Sequence, residues 1–190
     1  MFALARLVLA LFTSILLNAS DVLFWALQHQ ADQLLREGRY EEAMPVVHAA
    51  VAEAGVSGRV GLPTAVALND LGYLYALLGR CDDARTALLH SVNVWKKLSS
   101  AGVPGLVETG STLVTVYLDC GDPGIAARFW TRELEPLYLR VPAGIVFARL
   151  KVIAGALSLV RREYALADQL FTAALNANEE QKSLGSNELA

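Results

Sequence analysis

The sequence has little of what zinc sites, disulfide frameworks and nucleic-acid surfaces require. Its 190 residues include two cysteines and three histidines, which are too few for a disulfide framework and offer few ligands for zinc. There are 16 basic and 19 acidic residues, and the net charge of −3 leaves no positive excess to bind phosphate backbones. We therefore expect no metal, no cofactor and no nucleic-acid partner.

Catalytic motifs are also missing from the sequence. The three histidines, His29, His48 and His90, lie far apart along the chain, and no HExxH or CxxC pattern accompanies them. A GxxGxxG run spans Gly55 to Gly61, but no strand precedes it as a dinucleotide site would need, so it is interpreted as a connector. There is no phosphate-loop motif and no GxSxG motif. The sequence therefore predicts that the chain is not an enzyme.

The hydrophobic content of 54% is high enough to build a sizeable core in a folded chain. Residues 1–20 carry one basic residue, Arg6, before an uncharged apolar stretch and small residues, which is typical of a secretory signal. If this segment is cleaved, the protein is exported to the periplasm or secreted. Two alternatives stay open: a retained hydrophobic anchor, which would be the only route to a membrane, or a first core helix in a cytoplasmic protein.

A short pattern occurs four times along the chain. It reads Gly38–Ala43, then Gly79–Ala84, then Gly121–Ala126, and in a weaker form Arg162–Ala167. The terminal alanines stand at positions 43, 84, 126 and 167, so the intervals between them are nearly equal. Such regular spacing indicates a repeat architecture, in which each repeat is one supersecondary unit.

Each recurrence lies between two helical patterns. In the second unit, Leu68, Leu71, Gly72 and Tyr75 are three or four residues apart and so share one helix face. Gly79 follows, and a glycine there can end the first helix with a positive φ angle. Each unit is therefore predicted to be a helix, a tight turn and a second helix.

These residues resemble the tetratricopeptide repeat (TPR) family, whose pattern has a Leu-Gly pair, a Tyr, a turn Gly, and an Ala and an aromatic residue on the second helix. The matching positions are Ala31, Gly38, Tyr40 and Ala43 in the first unit, Leu71, Gly72, Tyr75, Gly79 and Ala84 in the second, Leu113, Tyr117, Gly121, Ala126 and Trp130 in the third, and Gly155, Tyr164, Ala167 and Phe171 in the fourth.

The resemblance implies an all-α fold, an α-solenoid of about four TPR hairpins coiled into a right-handed superhelix. The period, about 41–42 residues, is longer than the usual TPR length of about 34 and is similar to the repeats of kinesin light chains. We expect the array over residues 21–176, followed by a polar C-terminal tail at 177–190. The predicted units are 22–55, 63–100, 105–139 and 143–176.

The two cysteines fall at the turn ends of neighbouring predicted units. Cys81 opens the second helix of unit two, and Cys120 closes the first helix of unit three. They form either a disulfide between these units, which requires an exported chain, or two separate buried thiols.

The resemblance also implies a function, because TPR arrays bind proteins or peptides on the concave face formed by their first helices. We therefore expect a non-enzymatic binding scaffold. The positions carried over to this face are Gln28, Asp32, Arg36, Asn69, Tyr73, Ser111, Thr115, Arg149 and Val152.

An alternative function is structural, through self-association into a homo-oligomer. Leu170, Phe171, Ala174 and Leu175 end the fourth unit, and the pattern predicts no fifth unit to cover them. Exposed apolar end faces are common contact sites.

Overall fold

The computed structural model of the chain describes residues 21–56, 61–98, 102–138, 141 and 144–187. The predicted signal segment, residues 1–20, lies outside the described residues, as do parts of the connectors between repeats. The described chain is helical and contains no strand. It divides into two compact units, one ending at Val94 and the other beginning at Trp95.

The described residues of the first unit form four helices in two hairpins, and the last of these helices ends one residue into the second unit. Helix α1 covers residues 21–36, α2 covers Tyr40–Val56, α3 covers Leu62–Leu77, and α4 covers Cys81–Trp95.

The second unit repeats this plan with α5 (Val103–Asp119), α6 (Pro123–Phe129), α7 (Ile145–Val160) and α8 (Tyr164–Asn187). None of the described helices is both long and apolar enough to cross a membrane.

The tight turns inside all four hairpins have the same geometry. Gly38, Gly79 and Gly121 have φ angles of 72°, 71° and 84°. At the first turn, the amide of Gly38 donates to the Leu35 carbonyl at 3.2 Å, and that of Arg39 donates to the Leu34 carbonyl at 2.9 Å. This pair of hydrogen bonds is the Schellman motif, which satisfies the last carbonyls of a helix.

The fourth turn keeps this motif without a glycine. Arg162 has a φ angle of 62°, and its amide donates to the Leu159 carbonyl at 2.9 Å. The Glu163 amide donates to the Ser158 carbonyl, also at 2.9 Å. An L residue is strained in this left-handed region, so the turn forms at a local energetic cost.

The two helices of a hairpin approach closely where the pattern requires a small residue. A Cβ on Gly72 of α3 would lie 2.5 Å from Cγ of Leu88 in α4, and one on Gly155 of α7 would lie 2.8 Å from the Phe171 ring in α8. Because close-packed cores adjust little, a larger residue at either position would force the neighbouring side chain to shift, which favours glycine.

Each unit buries its own apolar core. In the first, Ala43 and Leu74 are among the buried side chains that pack together. In the second, Leu113, Leu134 and Leu150 are fully buried. The Trp95 indole Nε1 donates to Thr109 Oγ1 at 3.0 Å in this second core.

The second helix of the third hairpin departs from the regular repeat. Helix α6 ends at Phe129, and the chain continues as one π-helical turn, Trp130–Leu134, and a 3₁₀ turn, Glu135–Leu137. Pro136 lies in that 3₁₀ turn. Because proline has no N–H and clashes with the preceding helical turn, a regular α-helix ends before it.

Helix α8 also differs from the predicted end of the array. The predicted boundary at residue 176 falls inside this helix, which continues to Asn187. The predicted tail therefore begins as a continuation of α8.

Candidate functional site

The residues that carry the repeat pattern occupy the core and the turns. Ala43, Ala84 and Ala126 are fully buried, at the points where the second helix of each hairpin meets the first. Most of the remaining pattern residues are buried or half-buried, and three glycines form exposed turns. Tyr164 differs, since 65% of it is exposed at the start of α8.

The side chains predicted to line a peptide-binding groove lie on the first helices of the hairpins. In the first unit these helices are α1 and α3. Gln28 of α1 is buried, and its Nε2 donates to Oδ2 of Asp70 in α3. Nδ2 of Asn69 donates to Oδ1 of the same carboxylate at 3.2 Å. The structure thus brings two predicted groove residues, Gln28 and Asn69, together around Asp70.

The other predicted groove residues of the first unit are more accessible. Tyr73 is 43% exposed, Arg36 is exposed and Asp32 is half-buried. Asp32 follows Gln28 by one turn of α1, and Tyr73 follows Asn69 by one turn of α3. These side chains are therefore on the same side of their helices as the polar contact.

A second polar contact joins the first helices of the second unit. Arg149 Nη1 of α7 lies 3.2 Å from Glu108 Oε1 of α5. On α5, Ser111 is buried and donates to the Val107 carbonyl at 2.6 Å, and Thr115 donates to the Ser111 carbonyl at 3.2 Å. Arg149 is thus joined to α5 through a residue that was not among those predicted.

An open apolar cavity of about 510 Å³ lies between α7 and α8 in the second unit. Val152 of α7 and Leu175 of α8 line it and are 44% and 66% exposed. Phe171 and Ala174, also predicted at the end of the fourth unit, line it as well. The full lining is Ile145, Ala148, Arg149, Val152, Phe171, Ala174, Leu175 and Asn178.

A carboxylate with a lowered pKa, Glu133, lies in the π-helical turn of the second unit. Lys96 Nζ donates to Glu133 Oε2 at 2.8 Å, and Arg132 Nε donates to Oε1 at 3.1 Å. The Lys96 hydrogen bond is the largest cause that lowers the pKa of Glu133 below its usual range. These two hydrogen bonds hold the Glu133 side chain in the turn, so we assign them a structural role.

The cysteines contribute no thiol to a site, because the described residues contain no free cysteine. The pairing of Cys81 with Cys120 stays a prediction.

The sequence analysis did not single out Asp70 and Glu108, the two carboxylates that contact predicted groove residues on neighbouring first helices. A signal for each was present. Asp70 adjoins Asn69, and Glu108 precedes Ser111 by three residues and so shares its helix face. An isolated carboxylate on a helix is usually solvated, and only the neighbouring helix reveals its partner.

Comparison with known proteins finds similarity to solved structures but to no family model. No family model matches the sequence, and no curated protein matches it. The crystal structure of BtubC (BKLC) from P. vanneervenii is similar, with a TM-score of 0.61 at 16% sequence identity. The chain has a helical-repeat fold.

This likeness confirms the predicted all-α solenoid class. The alignment covers 81% of this chain and 61% of the BtubC chain, so this chain spans less than two thirds of that protein's length. At this level of identity, the comparison establishes the fold alone.

Proposed function

We propose that the chain is a non-enzymatic scaffold that binds a protein or peptide along the face formed by its first helices. One observation carries the proposal: in each unit, polar side chains of one first helix contact those of the next. Gln28 of α1 meets Asp70 of α3, and Glu108 of α5 meets Arg149 of α7. Within each unit, two neighbouring first helices offer an open surface suited to binding rather than a closed pocket suited to catalysis.

The same geometry supports a TPR-type array of the long-period kind. The four left-handed turn residues, at positions 38, 79, 121 and 162, are almost evenly spaced along the chain. The small-residue contacts of Gly72 and Gly155 fall where the TPR pattern has them. Repeats of this type have protein or peptide partners, and we propose the same class of partner here.

A peptide selection tests the binding function. A random peptide library is displayed and selected on the purified protein, and the enriched peptides are measured by fluorescence anisotropy. Tyr73→Ala, at a 43% exposed residue of α3, should weaken binding about tenfold, as losing one contact aromatic commonly does. Leu89→Ala, at a 39% exposed residue of α4, is the matched control and should bind normally. Turnover of a substrate that is lost with Tyr73→Ala would contradict the proposal.

A second candidate function is self-association through the cavity between α7 and α8, where Val152 and Leu175 are exposed. Specific interfaces bury roughly 1,200–2,000 Å² in total and are centred on such apolar residues. Light scattering at tens of micromolar should show an oligomer that Leu175→Glu dissociates. Leu166→Glu, at a 45% exposed residue of α8 that does not line the cavity, should leave it intact. A strict monomer contradicts this candidate.

The proposed location is outside the cytoplasm, on the basis of the signal-like residues 1–20. The N-terminal sequence of protein from the native host tests it, since export predicts that these residues are missing. A disulfide between Cys81 and Cys120 is part of the same proposal, because oxidising compartments sustain disulfides. Non-reducing peptide mapping should recover the two cysteines in one linked peptide. A full-length cytoplasmic product would refute export.

A further inference from the structure

The cavity between α7 and α8 corresponds to a groove that another helix fills in the first unit. The turn residues at positions 38 and 162 are 124 residues apart, so α1 and α2 are the counterparts of α7 and α8 at that spacing. In the first hairpin, three side chains form a core with Ala67 of α3, namely Phe24, Ala50 and Ala54. Their counterparts line the cavity, and they are Ala148, Ala174 and Asn178.

Helix α3 fills the groove in the first unit. Val66 and Ala67 of α3 pack in this core, and Ala67 is 1% exposed. Val51 of α2 packs there as well. Its counterpart in α8 is Leu175, which is 66% exposed, and the described residues contain no helix after α8 to cover it. Over this part of the chain, the last hairpin therefore has the same groove without a third helix.

Helix α1 exposes the positions that α3 packs into the core. The turn residues at positions 38 and 79 are 41 residues apart, and Trp25 and Ala26 precede Val66 and Ala67 by the same spacing. Trp25 is 46% exposed, and Ala26 is exposed as well. The surface of α1 thus carries the two side chains that a helix would insert into such a groove.

The side chains of the two surfaces are complementary in size. Phe24 and Val66 pack in one core, which combines a large residue of the groove with a smaller one of the helix that fills it. In the open groove the counterpart of Phe24 is Ala148, and a cavity of about 510 Å³ remains. On α1 the counterpart of Val66 is Trp25. Trp25 of a second copy can therefore fill the volume that the alanine leaves.

Arg149 gives the indole ring a second partner. Glu108 of α5 and Arg149 of α7 are equivalent positions, since they are 41 residues apart like the turn residues 121 and 162. They lie 3.2 Å apart, so equivalent positions on these neighbouring first helices meet. The same relation would place Trp25 of a second copy beside Arg149, whose side chain is 41% exposed. A guanidinium group can stack on an indole ring while its edge keeps an ion pair.

One polar pair completes the match between the surfaces. Met44 of α2 packs against the core that contains Leu71 of α3. The counterpart of Met44 in α8 is Asp168, and the counterpart of Leu71 in α1 is Gln30, and both are exposed. The groove and α1 thus change from apolar to polar at the same place, where a glutamine N–H can donate to the carboxylate.

We propose that α1 of a second copy docks between α7 and α8, so that copies of the chain associate head to tail. The inference rests on the second candidate function, self-association, and names the surface that enters the cavity. The two contacting surfaces are different parts of the chain. Each added copy therefore leaves one α1 and one groove unoccupied, and association continues beyond a dimer unless a ring closes.

Light scattering at tens of micromolar tests the contact on the full chain. The wild type should show a mass above that of a dimer, and this mass should rise with concentration. Ala26→Glu changes an exposed residue and should weaken association at least about tenfold, because it would bury an unpaired carboxylate in the groove. Ala52→Glu adds the same charge at an exposed alanine of α2 and should leave association unchanged. Circular dichroism checks that each variant is folded.

Mixing two variants tests the head-to-tail arrangement. Ala26→Glu blocks α1 and Leu175→Glu blocks the groove, so each variant alone should be a monomer. An equimolar mixture should form a dimer and nothing larger, because one intact groove meets one intact α1. A mixture that stays monomeric would overturn the inference.

The remaining outcomes separate this inference from the function on which it rests. If Ala26→Glu associates as the wild type does while Leu175→Glu does not, the inference is overturned and self-association through the cavity stands. A wild type that is strictly monomeric would overturn both. A chain that starts at Asp21 should associate as the full chain does, and loss of association in this shorter chain would assign the groove to residues 1–20 and overturn the inference.

Discussion

Replacing Arg162 with glycine should stabilise the protein. Arg162 has a φ angle of 62°, in a turn whose three counterparts use glycine at 71° to 84°. The left-handed conformation costs an L residue roughly 1–2 kcal/mol. Glycine avoids this cost but loses about 0.4–1 kcal/mol through its greater freedom in the unfolded chain. The net gain in unfolding free energy is therefore about 0.5–1 kcal/mol.

Thermal and urea unfolding, followed by circular dichroism, measure this gain. For a chain of this length, 1 kcal/mol corresponds to roughly 2–4 °C in Tm, so Arg162→Gly should raise the midpoint by about 1–4 °C. Arg162 is an exposed residue, so its removal sacrifices little packing.

The reverse substitution is the matched control. Gly79 has a φ angle of 71°, and a Cβ there would meet nothing within 4 Å. Gly79→Arg should therefore destabilise the protein by a similar amount through backbone strain alone. If Arg162→Gly is neutral or destabilising while Gly79→Arg is tolerated, the strain at the fourth turn is refuted.

Two further predictions concern packing and pH. Gly72→Ala should lower the unfolding free energy, measured with urea, by about 1 kcal/mol, because overpacking against Leu88 outweighs the gain in helix propensity. Gly55→Ala is the control and should raise the unfolding free energy, because the space around its Cβ is open. Because the pKa of Glu133 is lower in the folded protein than its ordinary value of 4.5, the ionised carboxylate stabilises the fold at any pH above 4.5. This stabilisation is lost as the pH falls through the pKa that Glu133 has in the folded protein. Glu133→Gln should therefore lower the unfolding free energy by about 1 kcal/mol at pH 7, a small value because Lys96 is 43% exposed to solvent. It should also reduce the loss of unfolding free energy between neutral and acidic pH. An unchanged dependence on acidic pH would contradict this assignment.

The repeat pattern was enough to predict the hairpin class, because its signals are local. A glycine such as Gly79 ends a helix through its own backbone freedom, and a glycine such as Gly72 marks close contact between helices. Arg162 was seen to replace the turn glycine, but only the structure shows that the turn keeps its left-handed geometry. That conformation depends on how the helices on either side of the turn pack together, and this packing cannot be read from the sequence.

Other features depend on contacts that sequence spacing does not encode. The π-helical turn at Trp130–Leu134 lies just before Pro136 and contains the buried Trp130, and the spacing of apolar residues in the sequence does not reveal it. Asp70 and Glu108 are ordinary helix carboxylates in sequence and gain their significance from partners on neighbouring helices. Candidate binding residues were therefore harder to predict than the fold.

Site-specific photocrosslinking tests most directly whether a peptide binds along the face formed by the first helices. The photoreactive residue p-benzoylphenylalanine is placed at position 73 on α3 or at position 89 on α4, both exposed. Peptides selected on the wild-type chain should crosslink at position 73 and not at position 89. Crosslinking at position 89 alone, or equal yields at both positions, would contradict the account.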